Sequence, residues 1–599
     1  MKRPMRRVGL ALATSVALTV GLVGPAVAAD YTTVHQGYAA PNTVLTTATP
    51  QRQGLNPEPI EAAKAALDGY TRPQPNGYPL YPGYAAVMGH DGAIVARAVG
   101  GHALLYADAT TTLPESERIA VVEDTIFDLA SVSKLFTSLV AVQLIEEGAL
   151  ELDEPVATYL PAFAANGKQD ITVRHLLTHT SGLVAWLPLW SAPDYDSRIR
   201  AVLNATPTDA PGEVYRYSDL NLITLGLIVE KLRGTSLDVV VRERVTAPLG
   251  MVDTGYNPSD KRRTAATEYQ ATPNRGIVWG EVHDENAWSL NGVAGHAGVF
   301  STVKDLSILS QALLNGGIYK GRRILSESSV DLLITDFNEK FPDDSHGLGF
   351  ELDQRWYMAG LASPKTAGHT GYTGTSLVID FTSRSFAILL TNRVHPSRTS
   401  GSVNPPRRDW AQGLALAMPV RPTTGATAWM TGITNATTST LDLPVERLTR
   451  DAKLSFDLFI DAEDQWDPFS LELSTDGGTT WAPLPYRLKD RDFRAQTVDG
   501  PLAVSGLRRW MKAEAQVPAG DNLVIRWKHT TDNLYLGRGV YVDNIKLRGG
   551  GVQVSPERNP ELLLAKNWTP SSVQCAEQRP APSCRGPAVA DSSTFSGGS

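Results

Sequence analysis

Ser131 and Lys134 stand three residues apart at the start of an apolar stretch, in the order Ser131-Val-Ser-Lys134. A serine hydroxyl is a weak nucleophile at neutral pH unless a neighbouring group removes its proton. Residues three apart on a helix share a face, so the amine lies within reach of the hydroxyl. The helix start adds free backbone N–H groups and the positive end of a dipole, both useful to a developing oxyanion. The spacing alone is common, and a capping serine beside a solvated lysine satisfies it equally well. What raises it is the rest of the chain.

Four segments in order carry a resemblance. Phe127-Asp-Leu-Ala-Ser131-Val-Ser-Lys134-Leu-Phe136, Ile171-Thr-Val-Arg-His-Leu-Leu-Thr-His-Thr-Ser-Gly-Leu183, Pro211-Gly212 followed by Tyr217-Ser218-Asp219, and His369-Thr370-Gly371 span the first two thirds of the sequence. Together they resemble the β-lactamase-related serine hydrolases, those nearest class C β-lactamases and DD-peptidases. The resemblance implies roles. Ser131 is the nucleophile, and Lys134 and Tyr217 share the proton transfers, with either as the base. The backbone N–H groups of Ser131 and Tyr372 form the oxyanion hole, and His369, Thr370 and Gly371 line the substrate cleft. Asp219 is a departure, standing where many relatives carry asparagine. An ionised aspartate only accepts hydrogen bonds and favours a charged ammonium at Lys134, which moves the base role toward Tyr217.

A glycine-dense stretch runs from Gly280-Glu-Val-His283-Asp284-Glu-Asn286 to Gly292-Val-Ala-Gly-His296-Ala-Gly298. It resembles the branch of the family that includes secreted N-acetylmuramoyl-L-alanine amidases. Glycine lets backbone approach a ligand closely, so Asp284, Asn286 and His296 are expected to line the cleft with Asp219. No cofactor or metal is expected. His175 and His179 are four apart, but the glutamate of a zinc-binding His-Glu-x-x-His motif is missing.

The elements that must position these residues read as an α+β fold. Residues 59–67 form an amphipathic helix, 84–99 two strands around a turn at His90-Asp91-Gly92, and 131–147, 173–177 and 220–232 further helices. Strands return at 374–380 and 385–391, so terminal strands flank central helices and are expected to share one antiparallel sheet. Beyond Arg421 the period becomes two, as in Leu454, Phe456, Leu458 and Ile460, which predicts an all-β sandwich. It resembles accessory domains of secreted bacterial peptidases, modules that bind surfaces or polymers, through Ser474-Thr-Asp-Gly-Gly-Thr-Thr-Trp481. Asp461, Glu463, Asp464 and Asp467 crowd one of its loops. A solvated acidic loop is the preferred reading, with calcium binding the alternative.

The expected organisation is a signal peptide over 1–29, a leader over 30–50, a hydrolase domain over 51–420, a linker over 421–428, a sandwich over 429–549 and a Pro-, Ser- and Gly-rich tail over 550–599. Lys2, Arg3, Arg6 and Arg7 precede an apolar run and the small residues Ala26, Ala28 and Ala29, the pattern of a cleaved export signal. The 599 residues carry a formal charge of −8, which argues against nucleic acid or anionic lipid as partner. No later segment is long enough to span a bilayer. The only two cysteines, Cys575 and Cys584, lie in the tail and suit a small disulfide loop. The function expected is a secreted serine hydrolase acting on peptidoglycan-derived amides, either muramoyl–L-alanine or D-amino-acid peptide bonds. The alternatives are a carboxylesterase and a non-catalytic penicillin- or cell-wall-binding protein.

Overall fold

The computed structural model describes residues 37–75, 77–490, 495–557 and 559–572. The segment read as a signal peptide and both cysteines fall outside them. Among the described residues no helix is long and apolar enough to cross a membrane.

An antiparallel sheet joins the two ends of the hydrolase region. Strands β1 (Thr46–Thr47), β2 (Gly83–His90), β3 (Ala93–Leu104), β4 (Ile119–Ala120), β5 (Glu351–Leu352), β6 (Thr366–Thr370), β7 (Ser376–Asp380) and β8 (Ser385–Thr391) build it. The order across the sheet is β1-β3-β2-β8-β7-β6-β5, with β4 on β3. β8 runs antiparallel to β2, Ser385 opposite His90 and Thr391 opposite Tyr84, so the terminal strands meet as the alternation predicts. β1 falls within the segment read as a leader and pairs parallel to β3.

Helices cover both faces. α1 (Pro57–Tyr70) and α4 (Asn404–Ala417) pack on one side around Ile60, Leu67, Trp410 and Leu414. The other side holds α2 (Ser133–Glu146) and α3 (Asp219–Arg233), whose Leu135, Leu139, Val142, Leu222 and Leu225 enter the main core. Nearly every residue of α2 is buried, so α2 is a central helix whose position is fixed from all sides.

The C-terminal part is an all-β sandwich of an eight-stranded and a five-stranded sheet. Alternating Leu454, Phe456, Leu458, Leu471, Leu523, Ile525 and Trp527 form its core. Two boundaries differ from expectation. A strand at Thr427–Thr431 begins inside the segment read as a linker, and Val552–Val554, Leu564–Lys566 and Thr569–Ser572, read as tail, add strands to the sheets. These pieces are three or four residues long, and Leu564–Lys566 and Thr569–Ser572 pair with strands far away in the chain, so their local composition resembles a tail.

Candidate active site

Ser131 sits in a short 3₁₀ turn, Ala130–Val132, leading directly into α2. Ala130 has φ of +47°, a conformation that costs a non-glycine residue roughly 1–2 kcal/mol. The turn is held from outside. Asp128 Oδ1 accepts the Ala130 N–H at 2.8 Å, Asp128 Oδ2 accepts the His283 N–H at 2.6 Å, and the Leu129 N–H reaches the Val299 carbonyl at 3.0 Å. The turn after β6 is tied to the same segment. Thr373 Oγ1 donates to the Asp128 carbonyl at 2.7 Å, and Thr375 Oγ1 to the Leu129 carbonyl at 2.9 Å. A side chain at Gly371 would meet Leu129 O at 2.3 Å and Thr375 Oγ1 at 2.1 Å, so glycine there permits the approach that brings Tyr372 beside Ser131.

Lys134 is 1% exposed and its ammonium has acceptors on several sides. Nζ lies 3.1 Å from Ser131 Oγ, 3.1 Å from the His296 carbonyl and 2.8 Å from Asp219 Oδ1. Burial alone would push this amine down, but the Asp219 carboxylate and the Tyr217 oxygen outweigh it, and the group is held above its ordinary value. Lys134 is therefore a firm ammonium in the resting site. Tyr217 hydrogen-bonds to both Lys134 and Ser131. Burial pushes its phenol up to about 12, the Lys134 ammonium pulls against this, and Asp219 adds to it.

The segment around His179 holds Tyr217 in place. Its imidazole stacks on the phenol ring at 4.5 Å, its Nδ1 accepts the Ser218 N–H at 3.1 Å, and its carbonyl accepts the Arg216 N–H at 2.8 Å. His175 instead closes a capping box with Thr172 at the start of its own short helix. The two histidines form no shared metal site.

Ser131, Tyr217, His369, Thr370, Gly371 and Tyr372 line one cleft of about 560 Å³. His369 is buried, and burial followed by the Lys134 charge pulls its imidazole down to about 3, so it is neutral. Arg393 and Arg407 supply the cationic wall, Arg407 with its Nη atoms already donating to Asn404 Oδ1 and to the carbonyls of Gly371 and Thr375, and the Glu351 carboxyl beside Arg407 is pushed up by burial to about 7. None of these three residues was legible from sequence. Each is a single charged residue at a strand end or on a helix, with no spacing to mark it.

Asp219, Asp284, Asn286 and His296 were expected in the cleft, and none of the four is among the residues that line it. Asn286 is fully buried, donating to the Leu187 carbonyl at 2.7 Å. His296 Nε2 lies 2.9 Å from Asp284 Oδ1, and the His296 carbonyl faces Lys134. The glycines explain the difference. A Cβ at Gly295 would meet the Leu222 carbonyl of α3 at 1.9 Å, and one at Gly292 would meet Asn257 Oδ1 at 2.1 Å. Gly295 lets backbone approach backbone, which presses the 292–298 loop between α2 and α3, and Gly292 makes room for the Asn257 side chain. Asp219, Asp284 and His296 do offer ligand atoms within 4.8 Å of one another. Asp219 is neutralised by Lys134 and Asp284 pairs with His296, so the cluster is balanced by the protein's own groups.

Comparison with known proteins identifies the family. The Beta-lactamase family model matches residues 79–412. A protein of Escherichia coli O157:H7 named "Putative D-alanyl-D-alanine carboxypeptidase" is 32% identical over 407 residues, covering 61% of this chain and 90% of its own. A protein of the same name from Salmonella schwarzengrund is 32% identical over 409 residues, with 61% and 90% covered. Among solved structures, a penicillin-binding protein homologue from Caulobacter crescentus aligns with a TM-score of 0.48 at 20% identity, over 60% of this chain and 97% of that one. The chain belongs to the Beta-lactamase family and is a serine hydrolase of that family.

Proposed function

We propose that this hydrolase cleaves peptidoglycan-derived amides through an ester on Ser131, with the D-amino-acid peptide bond favoured over the muramoyl–L-alanine bond. The observation that carries the preference is the cationic wall. Arg393 and Arg407 line the cleft that holds Ser131, while His369 is neutral. A carboxypeptidase substrate presents a carboxylate close to its scissile bond, and a guanidinium pair is the donor set that suits it. The name carried by the relatives points the same way.

In this reading Ser131 Oγ bonds to the acyl carbon and its proton passes to Tyr217 in the phenolate form. Lys134 remains an ammonium and stabilises that phenolate. The protonated Tyr217 then gives the proton to the departing amine as the C–N bond breaks. Water attacks the ester by the same route in reverse, giving its proton to Tyr217, while Ser131 recovers a proton as the acid leaves. The N–H groups of Ser131 and Tyr372 stabilise the oxyanion at both stages. Export directed by residues 1–29 would place the enzyme beside its substrate, and the sandwich would serve as the part that meets the polymer.

Incubation with purified muropeptides, followed by mass spectrometry, tests the reading. Muropeptides shortened by one terminal D-alanine residue, with free D-alanine released, are the expected products. Separation of intact peptide from muramic acid would instead assign the muramoyl bond. Turnover of p-nitrophenyl esters with no change in any muropeptide would replace the proposal by a carboxylesterase.

A further inference from the structure

The acidic loop of the sandwich is not the solvated loop its composition suggests. Glu463 and Asp467, between the strands Ala452–Asp461 and Phe469–Ser474, are 7% and 1% exposed. Asp532, after the strand Gly520–Thr530, comes in from a second loop, and the three present carboxylate oxygens within 4.8 Å of one another. Partners within the protein satisfy only part of this set. Asp467 Oδ1 accepts the Asp532 N–H at 2.9 Å, and Asp532 Oδ1 accepts the Leu534 N–H at 2.8 Å. Glu463 Oε2 is buried with no hydrogen-bond partner. A buried carboxylate oxygen without donor or counter-ion is costly, and two further carboxylates beside it raise that cost.

Arg355, from the hydrolase region, is the cation that faces the group. It attracts Glu463, Asp464 and Asp467, yet it makes no ion pair with them among the described residues, and its Nη2 is itself buried without a partner. The cluster therefore lacks a positive charge at its centre.

We propose that Glu463, Asp467 and Asp532 bind a calcium ion that ties the two sandwich loops together. Hard carboxylate oxygens select a hard divalent cation. Calcium takes oxygens at about 2.3–2.6 Å in flexible geometry, which suits carboxylates brought in from two loops, whereas magnesium demands a near-ideal octahedron at about 2.0–2.1 Å. The site lies against Arg355, whose chain neighbours Gln354 and Trp356 line the Ser131 cleft.

The full chain, stripped with a chelator, is titrated with calcium while its unfolding midpoint is followed. Terbium, sensitised by Trp466, reports binding directly, since this exposed tryptophan stands between Glu463 and Asp467 in the chain. About 10 mM calcium is expected to raise the midpoint by roughly 5–10 °C if the affinity is that of an extracellular module, and the same magnesium concentration to leave it nearly unchanged. Glu463→Gln should raise the midpoint of the metal-free protein by relieving repulsion, and abolish the calcium response. Asp532→Asn, on the other loop, should do the same and serves where Glu463→Gln fails to fold. A wild-type midpoint and terbium signal indifferent to calcium would overturn the proposal. So would a calcium response that survives in both variants, or an equal response to magnesium.

Discussion

Lys134→Ala is expected to lower kcat/KM by about 10³–10⁴-fold, at the upper end of what one proton-transfer group contributes. The lysine is one of the largest fully buried side chains, and its ammonium touches Ser131 Oγ, the His296 carbonyl and Asp219. Without it the Tyr217 phenolate loses the charge that stabilises it, and its formation moves further from neutral pH. Asp219 also loses its counter-ion inside the protein, which costs about 3–5 kcal/mol of stability. Adding Asp219→Asn to Lys134→Ala should return part of that stability and none of the activity. Steady-state kinetics and urea unfolding on the two single variants and the double variant check both halves. Activity within tenfold of wild type in Lys134→Ala contradicts the assignment.

Asp219→Asn alone is expected to move the pH dependence of the reaction. Asp219 raises both Lys134 and Tyr217, so its removal lowers both. With the phenol at about 12 the phenolate fraction grows with pH, and kcat/KM should climb from pH 6 to 9 instead of peaking near neutrality. The variant needs less alkali to form the same phenolate, so its climb is displaced to lower pH. β-Lactam turnover should rise in it as well, because asparagine can donate to a carbonyl where aspartate cannot.

The second large effect is on stability. Arg508→Leu should destabilise the chain by about 3–5 kcal/mol. Arg508 leaves the sandwich between the strands Gln496–Val498 and Trp510–Val517 and enters the hydrolase region. It is 4% exposed, pairs with Asp380 of β7, stands 3.7 Å from Asp461, and donates to the carbonyls of Gly360 and Ala362 at 3.2 and 3.1 Å. Leucine fills the volume but leaves Asp380 fully buried without its cation. Gln412 and Arg538 add bonds to Gly537 O and Met418 O, at 3.0 and 2.7 Å, and Arg408 lies over the Tyr535 ring at 5.4 Å, across the same junction. Arg508 is therefore the main electrostatic tie between the two parts. Denaturant unfolding followed by tryptophan fluorescence measures it. A loss under about 1 kcal/mol would contradict that role for Arg508.

What the sequence disclosed follows a physical pattern. The Ser131 turn, the Tyr217 segment and the β6 strand are each local, with several informative residues close together, and the terminal strands announce themselves by alternation. The glycine-dense 280–298 stretch misled for a definite reason. A glycine that admits a ligand and a glycine that admits another backbone look alike until the neighbour is known, and here Gly295 faces α3. Arg393 and Arg407 were invisible because a lone arginine has no pattern. Burial of Glu463 depends on loops brought together only by the fold, so its sequence reads as acidic and therefore wet.

The most direct measurement is covalent. Incubation with a fluorophosphonate, followed by intact-mass and peptide mass spectrometry, should show one adduct per chain on the peptide carrying Ser131. Ser131→Ala, folded as judged by its circular dichroism, should show none and lack turnover. An adduct on another residue, or labelling undiminished in Ser131→Ala, would contradict the account at its centre.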